Sequence, residues 1–575
     1  MATHTSQHSR SARDGRVASA VLAPEASLVG QLDPIMLSKA YAQLAGGLLR
    51  RPEALMSALF RGAYGLAAIA NAGLRRASGQ PSRAPLALPS GDRRFKDPAW
   101  EKSPPFFALQ QLYLLWGELL TGLVEAADIE ERPKAKAKFG VQTLLDALAP
   151  TNFLWGNPAA LKKALDTGGA SLVRGIGNFL HDMLENDGRP RQVDITPFEV
   201  GKNLAATPGK VVYRNDLMEL IQYAPQTSQV YEVPLLCSPP YINKYYIMDL
   251  APNRSFIEWA VRQGHTVFAI SYRNPDASMR NVQLDDYLVH GPRTAIDVIS
   301  DITGQEKVNV VGLCLGGTLT AILVAYLEAI DEDKVNSLTL LNTLLNFSEP
   351  GPLSIFTDPE TVEAVARRMR RRGYLEGPEM RGTFDFLRAN ELIWNYVVSN
   401  WLMGEDPPAF DILAWNADST RLPEDMHAFY LRSCYVRNEL AEGEMMIKGV
   451  PVDLGGSDQD VFIVAAEKDH IVPWRSSYAS TSLLDGEVEF VLTNAGHVAG
   501  IVNPPSQKAY YWSEGEATGD ADNWRTTATK RDGSWWNHWS EWIGARAGAL
   551  REPPPTGNAQ FPPITDAPGD YVHGK

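Results

Sequence analysis

Two textures of apolar spacing meet near residue 195. Before it, apolar residues recur every three or four positions, the period of a helix with one buried face. Residues 34–76 read as helical, and Pro52 with Glu53 suits a helix start. In "PEALMSALFRGAYGLAAIA", Leu55, Leu59, Leu66 and Ile69 recur at near-helical spacing. The opposite face is only weakly polar, which leaves two readings open: a helix packed on its own protein, or one lying on an apolar surface. "SGQPSRAPLALPSGD" (78–92) is a linker rich in Pro, Ser and Gly, and residues 99–187 predict several more helices. Residues 1–30 are polar and small and are expected to be disordered.

Beyond 195 the period shortens. "VYEVPLLCS" (230–238), "HTVFAIS" (265–271), "KVNVVGL" (307–313), "SLTLLNTLL" (337–345), "DVFIVAAE" (460–467) and "EVEFVLTN" (487–494) are short apolar runs rich in branched residues. Helical stretches such as "SFIEWAVRQG" and "TLTAILVAYLEAI" separate several of them. That alternation predicts an α/β fold with a mostly parallel sheet covered by helices. Residues 347–459 interrupt it with more than a hundred positions of aromatic and helical character, the expected place of a cap or lid. The tail after 510 holds "SWWNHWSEW" and then reads as Pro/Gly-rich coil. The expected domains are 1–30, a helical domain over 31–195, and a catalytic domain over 196–575 with its cap at about 347–459.

Composition narrows the partners. A chain of 575 residues is long enough for two domains. Its net charge of −14, with no basic run, argues against nucleic acid, which requires a concentrated positive field. Three cysteines, widely spaced, form neither a disulfide framework nor metal-ligand spacing, and so point to a reducing compartment and no metal. No run reaches the roughly 18 apolar residues of a transmembrane segment. The apolar part of the start is short and broken by Pro24 and Glu25, unlike a secretory signal. These features together predict a cytoplasmic enzyme.

Gly312-Leu313-Cys314-Leu315-Gly316 has the spacing of a nucleophile elbow, with cysteine in the usual place of serine. So tight a strand-to-helix turn leaves no room for flanking side chains, and a helix N-terminus favours thiolate over thiol. Asp469 follows the apolar run of "VAAEKDHIVPW", and His497 that of "FVLTNAGHVAG". Nucleophile, acid, base is the chain order of α/β-hydrolases, each residue standing beyond a strand's carboxyl end. The expected catalytic residues are therefore Cys314, Asp469 and His497. Asn346, read as the start of the loop after "SLTLLNTLL", cannot supply a carboxylate. His470 is expected to shape the pocket, His265 and His290 to be structural, and Cys237 and Cys434 to serve packing. The oxyanion hole is expected from the N–H of Leu315 and one from "SPPYINKYY", with Tyr241 the candidate and Ile242 next.

The chain resembles the poly(3-hydroxyalkanoate) synthases. The motifs are "GDRRFKDPAW", "FEVGKNL", "PPYINKYYIMDL", "SYRNPDASM", "GLCLGGT", "LIWNYVVSN", "EKDHIVPW", "GHVAGIVNPP" and "SWWNHW", in one order across most of the chain beyond residue 90. The resemblance implies an α/β-hydrolase fold preceded by a helical N-terminal domain. It implies polymerisation of (R)-3-hydroxyacyl-CoA into polyester with release of CoA, by way of an acyl-cysteine on Cys314, and no separate cofactor. It also implies a single-subunit class, a homodimer, and association with the granule surface and phasin-type coat proteins. "GLCLGGT" looks closer to the short-chain type. Tyr241 stands where the family often has Cys or Gln, Tyr272 where Trp is usual, and Asn346 where many members have Asp.

Overall fold

The computed structural model describes residues 34–516 and 519–574. The expected disordered segment 1–30 lies outside the described residues. The chain divides into two compact units, one running through Asp194 and including Gly382–Pro408, the other comprising Ile195–Arg381 and the chain from Ala409 onward.

The first unit is helical: α1 Pro34–Leu49, α2 Pro52–Ala77, α3 Pro104–Ala126, α4 Glu131–Ala147 and α5 Ala170–Glu185, with shorter helices between. Pro52 stands in the first turn of α2, where a missing N–H costs nothing. Small residues let α2 lie close on α3: Ala58 and Ala72 are buried together with Ile69, and Gly65 faces Leu115. The outward side of α2 is not polar. Leu59, Phe60 and Tyr64 are 67%, 69% and 79% exposed, so neither open reading of this helix holds alone. It packs inward through small side chains and presents large apolar ones.

Segment 382–408 changes the picture of the expected cap over 347–459. It packs in the first unit, where Asn390 donates to the Asp146 carboxylate (2.7 Å) and the Trp401 indole N–H to the fully buried Asp182 (2.8 Å). Asp182 also takes Arg191 Nε at 2.8 Å. Hydrogen bonds spanning more than 200 positions leave no periodic trace in sequence, so the insertion reads as one piece although it serves two bodies.

The second unit is built on one sheet of eleven strands. They are β1 Gly209–Arg214, β2 Met218–Tyr223, β3 Leu235–Ser238, β4 Val267–Tyr272, β5 Val308–Leu313, β6 Val335–Leu341, β7 Asp460–Ala466, β8 Val488–Thr493, β9 Tyr510–Ser513, β10 Thr529–Asp532 and β11 Thr565–Asp566. Their spatial order is β10-β9-β8-β7-β6-β5-β3-β4-β2-β1-β11. The middle six are parallel, and the two flanks pair antiparallel. Each of the six apolar runs supplies one middle strand. Every residue of β4 and β5 is buried, as expected of a strand covered on both faces. The tail beyond 510 is more than coil: it gives β9, β10, β11 and helix α7, Trp535–Gly544, which in chain order follows α6, Leu315–Ala329.

Candidate active site

β5 runs into α6 through Cys314, whose φ of 51° and ψ of −119° lie outside the regions L-residues prefer. Such a backbone costs about 1–3 kcal/mol and persists only where its surroundings hold it. Here the Cys314 N–H donates to Leu341 O on neighbouring β6 (2.8 Å), and Thr318 N–H returns to Cys314 O (3.1 Å). A methyl on Gly312 would sit 2.5 Å from the Gly317 α-carbon. One on Gly316 would fall on the carbonyl oxygens of Ser238 and Pro239, the chain leaving β3. Backbone cannot yield as a side-chain tip can. Gly316→Ala is therefore expected to destabilise the fold by more than about 4 kcal/mol, read as a collapse of Tm or loss of soluble protein; a melting curve like that of the parent would contradict this packing.

Asp469 and His497 stand on the loops after β7 and β8. The two loops are stitched together by Glu467 N–H on Thr493 O (2.8 Å) and Lys468 N–H on Ala495 O (3.0 Å). The Asp469 carboxylate is fully buried and both its oxygens are engaged. Oδ1 accepts the N–H groups of Ile471 (2.8 Å) and Val472 (2.9 Å), while Oδ2 lies 2.6 Å from His497 Nδ1. The other ring nitrogen is turned away from Asp469, and the Cys314 sulfur lies near enough for its charge to act on the ring. Burial alone would push the imidazole down. The charges of Asp469 and of the Cys314 sulfur, with the Asp469 hydrogen bond, outweigh it and hold His497 well above its ordinary value.

Pro239 and Pro240 have no N–H, so Tyr241 carries the first free backbone donor of the loop that crosses Gly316. Leu315 opens α6, where an N–H has no acceptor within the helix. The two expected oxyanion donors thus lie on the two segments that meet at the elbow. The Tyr241 ring is buried against Tyr287 (5.4 Å), and Tyr272 lies tilted against Tyr287 at the same distance.

Several contributors were invisible to spacing. Tyr430 and Tyr435 join Tyr241 around the sulfur; burial first, and Cys314 among the lesser causes, push all three phenols up, so they line the site as neutral groups. Phe347 closes this aromatic group, 4.9 Å from Tyr435. β6 ends at Leu341, four residues earlier than the sequence reading, so the first loop residue is Asn342. Its side chain donates to His497 O, while Asn346 accepts from Asn438 (3.2 Å) and has a structural place. The tryptophans of α7 hold the loop that carries His497: the Trp535 indole donates to Gly500 O (2.8 Å) and that of Trp536 to Ile501 O (2.9 Å). "SWWNHW" could have signalled this only if aromatic N–H groups were read as clamps.

Of the other candidates, His265 is buried on Tyr231 and held at about 4 by burial. Cys237 and Cys434 are buried, which pushes their thiols up, whereas Cys314 is partly exposed. Among the described residues no group of three or more His, Cys, Asp or Glu is placed to hold a metal, and no helix is long and apolar enough to cross a membrane.

Sheet order and elbow define the class: this is an enzyme of the α/β-hydrolase fold, with sulfur where oxygen is usual. Residues 245–504 match the family described as alpha/beta hydrolase fold, and residues 91–260 match the one described as poly-beta-hydroxybutyrate polymerase (PhaC) N-terminus. The chain is 41% identical, over 96% of its length and 92% of the relative's, to a poly(3-hydroxyalkanoate) polymerase of Methylorubrum extorquens. It is 42% identical to the poly(3-hydroxyalkanoate) polymerase subunit PhaC of Cupriavidus necator, over 85% of this chain and 84% of that one. Poly(3-hydroxyalkanoate) polymerase 1 of Ectopseudomonas oleovorans is 41% identical over 88% of this chain and 90% of its own. The chain belongs to the poly(3-hydroxyalkanoate) polymerase family, whose members are acyltransferase-type synthases.

Proposed function

We propose that the protein polymerises (R)-3-hydroxyacyl-CoA into polyester through a thioester on Cys314. The observation that carries this reading is a partly exposed cysteine at a strained elbow, whose charge acts on an imidazole that a buried aspartate orients. His497 takes the thiol proton; the sulfur attacks the substrate carbonyl; CoA leaves with that proton. The hydroxyl of the next monomer then gives its proton to His497 and attacks the acyl-cysteine, freeing the sulfur. The N–H groups of Leu315 and Tyr241 stabilise both tetrahedral oxyanions. Sulfur suits this sequence because a CoA thioester passes to another thioester with little loss, and only the ester-forming step runs downhill. No cofactor is needed, since CoA arrives on the substrate. Purified protein given C4 to C10 3-hydroxyacyl-CoA should release CoA while the solution turns turbid; CoA release with free hydroxy acid and no turbidity would make it a thioesterase instead.

The product is insoluble, so the enzyme acts in the cytoplasm at a granule surface, as a homodimer, with phasin-type proteins as neighbours. The apolar outer side of α2 is suited to that contact: Phe60 and Tyr64 follow at helical spacing, with Leu59 beside them, all more than two-thirds exposed. Exchanging these three for serine should move most of the protein from sedimented granules to the supernatant while CoA release from soluble substrate is unchanged. Undiminished sedimentation would remove α2 from the contact.

A further inference from the structure

Lys244 is a buried cation with an unusual set of partners. Only 3% of it is exposed, and its ammonium donates to the backbone carbonyls of Val572 (2.8 Å) and Gly574 (2.6 Å). Burial pulls its pKa down, and Asp418 offsets this only in part. A buried ammonium held by two carbonyls is expensive, and nothing in the proposed chemistry uses it. What distinguishes Lys244 is its position, three residues after Tyr241 in the loop that crosses the elbow.

The segment that receives it is itself fixed. β11 pairs with β1, and the turn after it docks on Glu219, whose fully buried carboxylate accepts the N–H groups of Asp570 (3.0 Å) and Tyr571 (2.9 Å). Arg214 closes the same carboxylate at 2.5 Å, and the Tyr571 hydroxyl donates to Asn215 O (2.7 Å). On its other side the loop is tied to the insertion, with the Trp415 indole on Lys244 O (2.7 Å) and the Tyr246 hydroxyl on Asp418 (2.9 Å). Loop 239–246 is thus clamped between residues 415–419 and residues 570–574, and Lys244, three positions after Tyr241, is the side chain that ties it to the second of these.

We infer that Lys244 and the carbonyls of residues 572–574 form a positioning device that sets the Tyr241 N–H at the distance an oxyanion requires. The inference rests on the reading of Tyr241 as an oxyanion donor. An oxyanion is a geometric target: removing one donor outright costs ~10²–10³-fold in rate. A loop freed at Lys244 keeps the donor but loses its aim, so the expected loss is smaller, ~10–100-fold, and falls on the chemical step. The Lys244 ammonium is taken up by the two carbonyls, so binding and thiol reactivity are expected to stay unchanged.

The test compares Lys244→Met, removal of residues 572–575, and the two combined. Expected are kcat values for CoA release from 3-hydroxybutyryl-CoA lowered ~10–100-fold by either change, and a combined loss no larger than the greater single one, because both undo the same Lys244 clamp. KM and the rate at which iodoacetamide alkylates Cys314 should stay close to the parent's. Unchanged kcat, fully additive losses, or alkylation falling in step with kcat would overturn the inference, the last because it marks damage to the elbow itself. If Lys244→Met does not fold, Lys244→Gln still donates to one carbonyl and should give an intermediate kcat, and parental kcat from it would count equally against the device. Replacing the Tyr241 amide by an ester separates the two readings: an inert ester defeats the oxyanion assignment, whereas a damaging ester with a harmless Lys244→Met defeats the positioning device alone.

Discussion

Cys314→Ala protein is expected to release no CoA above background, and Cys314→Ser protein to stall after at most one acyl group. Losing a nucleophile costs ~10⁴–10⁶-fold even when base and oxyanion donors remain, because the covalent route is gone. Serine is the more telling exchange. Its hydroxyl fits the elbow, whose tightness comes from Gly312 and Gly316 and not from the nucleophile. Any acyl group it accepts becomes an oxygen ester, and moving that to the next hydroxyl makes another oxygen ester with no drop in free energy. Polymer synthesis should therefore fall by at least ~10³-fold while intact-protein mass shows a retained acyl unit. Turnover by the alanine protein at the parental rate would end the assignment of Cys314; rapid chain growth by the serine protein would end the argument for sulfur.

How much of this was legible depends on what each residue faces. The six middle strands were readable because burial on both faces demands an unbroken apolar run, as in β4 and β5. The flanks were not. β2 carries Glu219 and Gln222 because its polar side chains find partners in residues 555–571, more than 300 positions away, and β10 is Thr-Lys-Arg-Asp with every residue exposed. Cys314, Asp469 and His497 could be nominated because each follows a strand end, a position that chain order reveals. Asn342, Tyr430, Tyr435 and the tryptophans of α7 act through contacts across long stretches of chain, and no local pattern marks them. Lys244 is the extreme case: a lysine in a loop reads as solvated, and only the fold turns it into a buried clamp.

Asp469→Asn is the second large effect, and its pH dependence has a definite sign. The carboxamide can still accept from Ile471 and Val472, so the loop survives, but it no longer supplies the charge that faces His497 Nδ1. An amide in the place of a triad carboxylate favours the wrong imidazole tautomer, and kcat should drop ~10⁴-fold with little change in KM, because both oxygens of the buried Asp469 carboxylate are engaged by protein groups. Stability carries a second signature. In the parent, His497 titrates well above its unfolded value, so its contribution is fully present below about pH 6.5 and fades as pH rises through the elevated folded pKa. Removing the largest source of that elevation leaves burial weakly opposed, and a buried imidazole resists protonation, so the variant loses stability on the acid side. The gap in Tm between parent and Asp469→Asn should accordingly be widest below about pH 6.5 and narrow toward alkaline pH. A gap that stays constant, or widens as pH rises, would mean that the carboxylate is not what holds the proton on His497.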